Sequence, residues 1–247
     1  MFRASATVLG LLLCISVSAP LMAQTTAAQD IIQPEKPAGS PTAISGFAVD
    51  FLNDQKDIWT SPLHIKAGDA KWLAPAAIGA GTLFVFDHRI SNAVKGDTSL
   101  RSPSNAISEV GLIAPYAVPG TMWFFGAIKH DSHTAEAGRL GTEAELDAEV
   151  VMNVLKLATA RNRPNMEDNK SFPSGHAMSS FALAAVMSRE YHDKPLVVFG
   201  SYGFATAVSL ARVGGLNHFP SDVLVGAVIG ELIGRYVVHH HAQLAQQ

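Results

Sequence analysis

From about residue 47 onward, long apolar runs alternate with short polar connections. Trp72–Phe86 (WLAPAAIGAGTLFVF) is apolar throughout, and Val110–Ile128 carries no charge. Leu140–Ala160 opens with Glu143, Glu145, Asp147 and Glu149 and then turns apolar; Phe181–Met187, Pro195–Ala211 and Val223–Val238 complete the set. Period-two alternation is scarce and the runs are rich in Ala, Leu and Gly, so the pattern predicts helices rather than strands. The expected fold is all-α, a single bundle of about six main helices spanning residues 47–241.

Hydropathy alone leaves the relation to a membrane open. A span needs about 20 apolar residues. Val110–Ile128 nearly reaches that length, Pro195–Ala211 is borderline, and Val223–Val238 is interrupted by Glu231 and Arg235, spaced to pair at i, i+4. The acidic first half of Leu140–Ala160 argues against lipid exposure. The balance favours an exported bundle, periplasmic or membrane-associated, over the alternative of an integral inner-membrane protein. Gly226, Gly230 and Gly234 repeat every four residues and form one smooth face. That face suits a helix–helix homodimer in a membrane or tight packing inside one bundle.

The first 23 residues, MFRASATVLGLLLCISVSAPLMA, read as a secretory signal peptide: Arg3, then an apolar stretch from Val8 to Val17, then small residues, with cleavage expected after Ala23. Residues 24–46, rich in Ala, Thr and Pro, read as a flexible linker. Cys14 is the only cysteine and would leave with the signal, so the mature chain must hold together by packing. A net charge of −3 argues against a nucleic-acid partner.

Three clusters carry candidate chemistry. In KLATARNRP, Lys156 and Arg163 lie seven residues apart, close to two helical turns. On a continued helix they would share a face and could clamp an oxyanion, or simply form a solvated basic end. Arg161, on another face, reads as structural. In SFPSGHAMSS, Ser174 suits an N-cap, Gly175 permits close approach, and His176 offers a proton near neutral pH at a helix start, where unpaired N–H groups favour anions. An ordinary capped helix with a surface histidine fits equally. In LARVGGLNHFPSDVLVG, Arg212 precedes a Gly214–Gly215 turn, His218 stands before Pro220, and Asp222 falls in the first turn of the next helix. Asp222 could accept one ring N–H of His218 and leave the other nitrogen as a nucleophile, or merely cap the helix.

Together, Lys156-x6-Arg163-Pro164, Pro173-Ser174-Gly175-His176 and Arg212-x5-His218-x3-Asp222 resemble the three-part motif of the type 2 phosphatidic acid phosphatase and vanadium haloperoxidase superfamily, and its phosphatase branch in particular. The resemblance covers about Lys156 to Asp222. Ala211 replaces the Ser that usually precedes the third-motif Arg. The resemblance implies a helical bundle and a metal-independent hydrolase of phosphoric esters or anhydrides. It implies that His218 attacks phosphorus to form a phosphohistidine, Asp222 orients His218, and His176 protonates the leaving group. It assigns phosphate binding to Lys156, Arg163, Arg212, Ser174 and Gly175, with no cofactor and no metal. A phosphorylated substrate, lipid phosphate above all, is the expected partner. The alternatives are a non-specific periplasmic acid phosphatase on soluble esters, a vanadium-dependent haloperoxidase, and a catalytically silent membrane protein. The run His239–His241 has no partner cluster in sequence and reads as non-functional, and His130 and His133 read as solvated.

Overall fold

The computed structural model describes residues 41–244. Seven α-helices account for most of them: α1 Pro41–Thr60, α2 Ala70–Lys95, α3 Arg101–Lys129, α4 Ser132–Thr159, α5 Gly175–Glu190, α6 Pro195–Gly214 and α7 Pro220–Leu244. The described residues contain no strand, as the periodicity predicts. The signal-peptide expectation falls outside the described residues. The linker expectation needs correction at its end, because Pro41–Gly46 belong to α1. Pro is well suited to the first helical position, and the amphipathic segment from Phe47 to Thr60 continues back to it without a breaker.

The core lies between α4, α5 and α7. Leu140, Ala144, Ala148, Val151 and Met152 of α4 meet Met178, Ala182, Leu183 and Val186 of α5, with Ile233 and Val237 of α7. Small residues let these helices approach. A Cβ on Gly226, Gly230 or Gly234 would collide with the carbonyl oxygens of Ser174, Met178 and Ala182. The glycine stripe is therefore consumed inside the chain, seating α7 on the backbone of α5. The acids of α4 that argue against lipid exposure face the interior: Glu143, Glu145 and Asp147 are at most 1% exposed.

The outer helices are apolar where they are bare. Residues Thr98–Lys129, taking in α3, and Pro195–Gly214 of α6 are long and apolar enough to cross a membrane, and only 22% and 33% of their most apolar windows are buried. Ile113, Phe124, Phe125, Leu196 and Phe199 all point outward. Trp72 of α2 is also exposed. The Glu231–Arg235 pair forms as expected, with Arg235 Nε 2.5 Å from Glu231 Oε1.

Candidate active site

The C-terminal end of α4, the N-terminus of α5, the C-terminal end of α6 and the N-terminus of α7 meet at one end of the bundle. Lys156 stands in the last turn of α4. The helix stops at Thr159, and Ala160 turns left-handed at φ 44°. Lys156 and Arg163 therefore do not share a helix face: the helix ends before Pro164, and Arg163 reaches the site from the following loop. That loop is pinned by the Arg163 N–H to the Asp168 carbonyl at 3.0 Å and by Arg163 Nε to Asp168 Oδ1 at 2.6 Å.

Ser174 is the N-cap of α5, as read from the sequence, but its hydroxyl makes no capping bond. It is buried, and its Oγ has no hydrogen-bond partner among the described residues. A Cβ on Gly175 would strike Met152 Sδ and lie 3.4 Å from Lys156 Nζ. Only glycine leaves room there for the ammonium to stand over the helix start, where the N–H groups already favour an anion.

Arg212 is 8% exposed, and its Nε has no partner among the described residues. Its carbonyl accepts from the N–H groups of Asn217 and His218 at 3.0 and 3.2 Å, a tight turn that brings His218 back beside it. Leu216, at φ 57°, makes the reversal, and its carbonyl accepts the Asn165 N–H at 3.2 Å, tying this turn to the Arg163 loop. His176 feels Arg212, Lys156 and Arg163 together. Burial first, and then these three cations, push its pKa down to about 4. His218 is fully buried, and burial with Arg212 and Arg163 holds its imidazole well below the usual range. Lys156 is lowered by burial and by Arg163. A site that depresses Lys156, His176, Arg212 and His218 together suits a multiply charged anion.

His218 is oriented, but not by Asp222 directly. Its Nδ1 lies 2.6 Å from the Ser171 carbonyl, which accepts only if Nδ1 carries the proton. Nε2 is then the unprotonated nitrogen. Asp222 acts one bond further out. Its Oδ2 accepts from Ser171 Oγ at 2.5 Å and from the Phe219 N–H at 2.9 Å, fixing both the residue that holds His218 and the start of α7. The sequence spacing placed Asp222 correctly, but at that register the carboxylate meets Ser171, which is 51 residues away in the chain.

Arg161 and Asp87 hold this scaffold together. Arg161 Nη1 lies 2.5 Å from Asp222 Oδ1, and its Nη2 lies 2.8 Å from Asp87 Oδ2. Its guanidinium stacks 4.2 Å from the Phe219 ring centroid and 4.7 Å from that of Phe84. Asp87 of α2 accepts the Ser221 N–H at 3.0 Å and also the Ser221 hydroxyl. Arg161 is thus structural, as its position suggests. Asp87 escaped the sequence reading because nothing near it in the chain carries a motif.

A cavity of about 180 Å³ is lined by Lys156, His176 and Glu149 together with Leu112, Tyr116 and Met152.

Residues 144–245 match the PAP2 superfamily. Over 85 residues, 34% of the chain, it is 34% identical to a lipid A 1-phosphatase of Porphyromonas gingivalis; the match spans 19% of that longer protein. The fold is similar to that of Aquifex aeolicus LpxE, with a TM-score of 0.50 and 23% identity over 63% of this chain and 94% of that one. It is also similar to a transmembrane PAP2 type phosphatidylglycerolphosphate phosphatase from Bacillus subtilis, with a TM-score of 0.53 and 22% identity over 81% of this chain and 96% of that one.

Proposed function

We propose that the protein is a membrane-associated phosphatase that hydrolyses lipid phosphate monoesters or pyrophosphates through a phosphohistidine. The observation that carries this reading is the convergence of Lys156, Arg163 and Arg212 on the α5 N-terminus, beside His176 and His218. Phosphoryl transfer spreads negative charge over three equatorial oxygens, and fixed cations and N–H groups aimed at that charge are the principal source of rate. His218 Nε2 attacks phosphorus in line, and the phosphorus–oxygen bond to the leaving group breaks. The bound dianion raises the depressed pKa of His176, which then gives its proton to the departing oxygen. His176, now neutral, takes a proton from water as the water attacks the phosphohistidine, releasing phosphate and restoring His218. Ser174 Oγ, which has no hydrogen-bond partner among the described residues, donates to a phosphate oxygen in this reading.

A lipid substrate is supported by the cavity, which joins Lys156 and His176 to Leu112 and Tyr116 of α3, and by the outward apolar side chains of α3 and α6. The relatives are a lipid A phosphatase and a phosphatidylglycerolphosphate phosphatase. Export, with the mature chain starting near Gln24, completes the proposal. Phosphate release should be compared in detergent micelles for lipid phosphate monoesters, isoprenyl pyrophosphates and soluble esters. Lipid substrates should be preferred in kcat/KM; equal turnover of soluble esters would overturn the lipid assignment.

A further inference from the structure

The end of the bundle remote from the phosphate cradle holds a second cluster of ionisable groups. Asp50 and Asp54 lie one turn apart on α1, Glu143 and Asp147 one turn apart on α4, and His240 and His241 are adjacent on α7. Glu143 is 13 residues before Lys156, so the cluster lies about 20 Å down α4 from the candidate active site. Ligand atoms of Asp50, Glu143 and His241 all fall within 4.8 Å of one another. His241 Nε2 is 2.9 Å from Glu143 Oε2, yet the pair lacks hydrogen-bond alignment. Two ligands at about 2.1 Å from one tetrahedral ion sit about 3.4 Å apart; His241 Nε2 and Glu143 Oε2 stand somewhat closer, at 2.9 Å, and the whole triad lies within 4.8 Å.

A second observation is independent of this triad. Asp54 is completely buried, and neither of its carboxylate oxygens has a hydrogen-bond partner among the described residues. Its Oδ1 lies 3.8 Å from His240 Nε2, and it shares the charge environment of Glu143 and His241. Glu143 Oε1 is likewise enclosed and unpartnered. Arg139 contacts Glu143 at 3.0 Å and approaches Asp50 at 3.9 Å. That guanidinium is also held by Glu136 at 2.7 Å, so it cannot by itself neutralise Asp50, Asp54 and Glu143. A buried carboxylate is retained when it is paired or bound to a metal.

We propose that Asp50, Glu143 and His241 bind a divalent transition-metal ion, with Asp54 and His240 closing the site, and that the ion staples α1 to α4 and α7. An imidazole among carboxylates favours Zn²⁺ or Mn²⁺ over Mg²⁺ or Ca²⁺, which take oxygen ligands. The site is structural and takes no part in phosphoryl transfer.

The test uses the full chain, stripped with EDTA, dialysed against Zn²⁺ and passed through gel filtration. Elemental analysis should find one Zn²⁺ per chain. Zn²⁺ should raise the melting temperature by several degrees, and Mg²⁺ and Ca²⁺ should not. Both effects should vanish in His241→Gln and Glu143→Gln and survive in His239→Gln, whose side chain is exposed on the same histidine run. Should the buried variants fail to fold, Asp50→Asn on the half-buried rim must weaken Zn²⁺ binding by more than about ten-fold. Wild-type protein without stoichiometric Zn²⁺, or binding lost with His239 and kept without His241, would show instead a plain Glu143–His241 ion pair. Phosphatase turnover, read on the same stripped samples, should be unchanged, so failure here and failure of the phosphatase reading are separately visible.

Discussion

Arg161 and Arg163 stand two residues apart and look alike in sequence, yet their surroundings assign them opposite work. Arg161→Met removes the cation shared by Asp87 and Asp222, both fully buried. Removing one partner of a buried pair costs about 3–5 kcal/mol, because an uncompensated charge stays inside. Each carboxylate keeps two donors, the Ser221 N–H and hydroxyl for Asp87 and the Ser171 hydroxyl and Phe219 N–H for Asp222. The loss should therefore sit toward about 3 kcal/mol. At about 2–4 °C per kcal/mol for a chain of this size, the melting temperature should fall by about 6–12 °C. Arg163→Met breaks the pair with Asp168, a carboxylate 39% exposed, and a long 3.4 Å hydrogen bond to the Asn217 carbonyl; the exposed pair is worth about 0–1 kcal/mol, so the fall should be about 4 °C or less. The substitution should instead lower kcat/KM by about 10²–10³-fold, the cost of one lost donor to the developing charge. Thermal unfolding in detergent and steady-state kinetics on both variants decide the matter. If Arg161→Met unfolds no earlier than Arg163→Met, or Arg163→Met keeps wild-type kcat/KM, the division of labour read from these contacts is wrong.

Turnover should persist in EDTA, and vanadate should inhibit competitively as a mimic of five-coordinate phosphorus; metal-restored activity after chelation would contradict the side-chain cradle. Sulfate stays a dianion across neutral and mildly acidic pH, while His176 is held down to about 4 by burial and by Arg212, Lys156 and Arg163. Binding the dianion should take up a proton, so the inhibition constant for sulfate should fall as pH drops from about 7 to about 5, and a flat profile would exclude proton-coupled binding. Gly175→Ala should leave little activity, since its Cβ would strike Met152 beside the Lys156 ammonium; near-wild-type kinetics would show that the cradle is less tight than drawn. N-terminal sequencing of exported protein should begin near Gln24, whereas an intact Met1 would mean an uncleaved anchor.

Much of this site was legible in the sequence because motif spacing and helix caps are local. Ser174 before α5, Pro220 opening α7 and Asp222 in its first turn all follow from nearest neighbours. What failed was longer in range. Lys156 and Arg163 were expected on one helix face, but the chain leaves the helix at Ala160, four residues before the proline that was expected to stop it. Asp222 was expected to hold His218, whereas the Ser171 carbonyl does so, a contact set by how the α4–α5 loop folds over α7. The acids of α4 were read only as an argument against lipid exposure, and the C-terminal histidines as a non-functional run. They meet because α1, α4 and α7 pack together, bringing residues from 50 to 241 into one cluster that no local pattern announces. The glycine stripe left two readings, and only the carbonyl contacts with α5 choose between them.

The most direct test of the mechanism is rapid-quench trapping of the phosphoenzyme with ³²P-labelled lipid phosphate. Wild-type protein should yield an acid-labile, base-stable phosphohistidine. His218→Ala should yield none with any substrate. His176→Ala should still form phosphohistidine from an activated ester such as a nitrophenyl phosphate, and should accumulate it because water is no longer activated. A phosphoenzyme in His218→Ala, or its absence from the wild type during turnover, would contradict nucleophilic attack by His218.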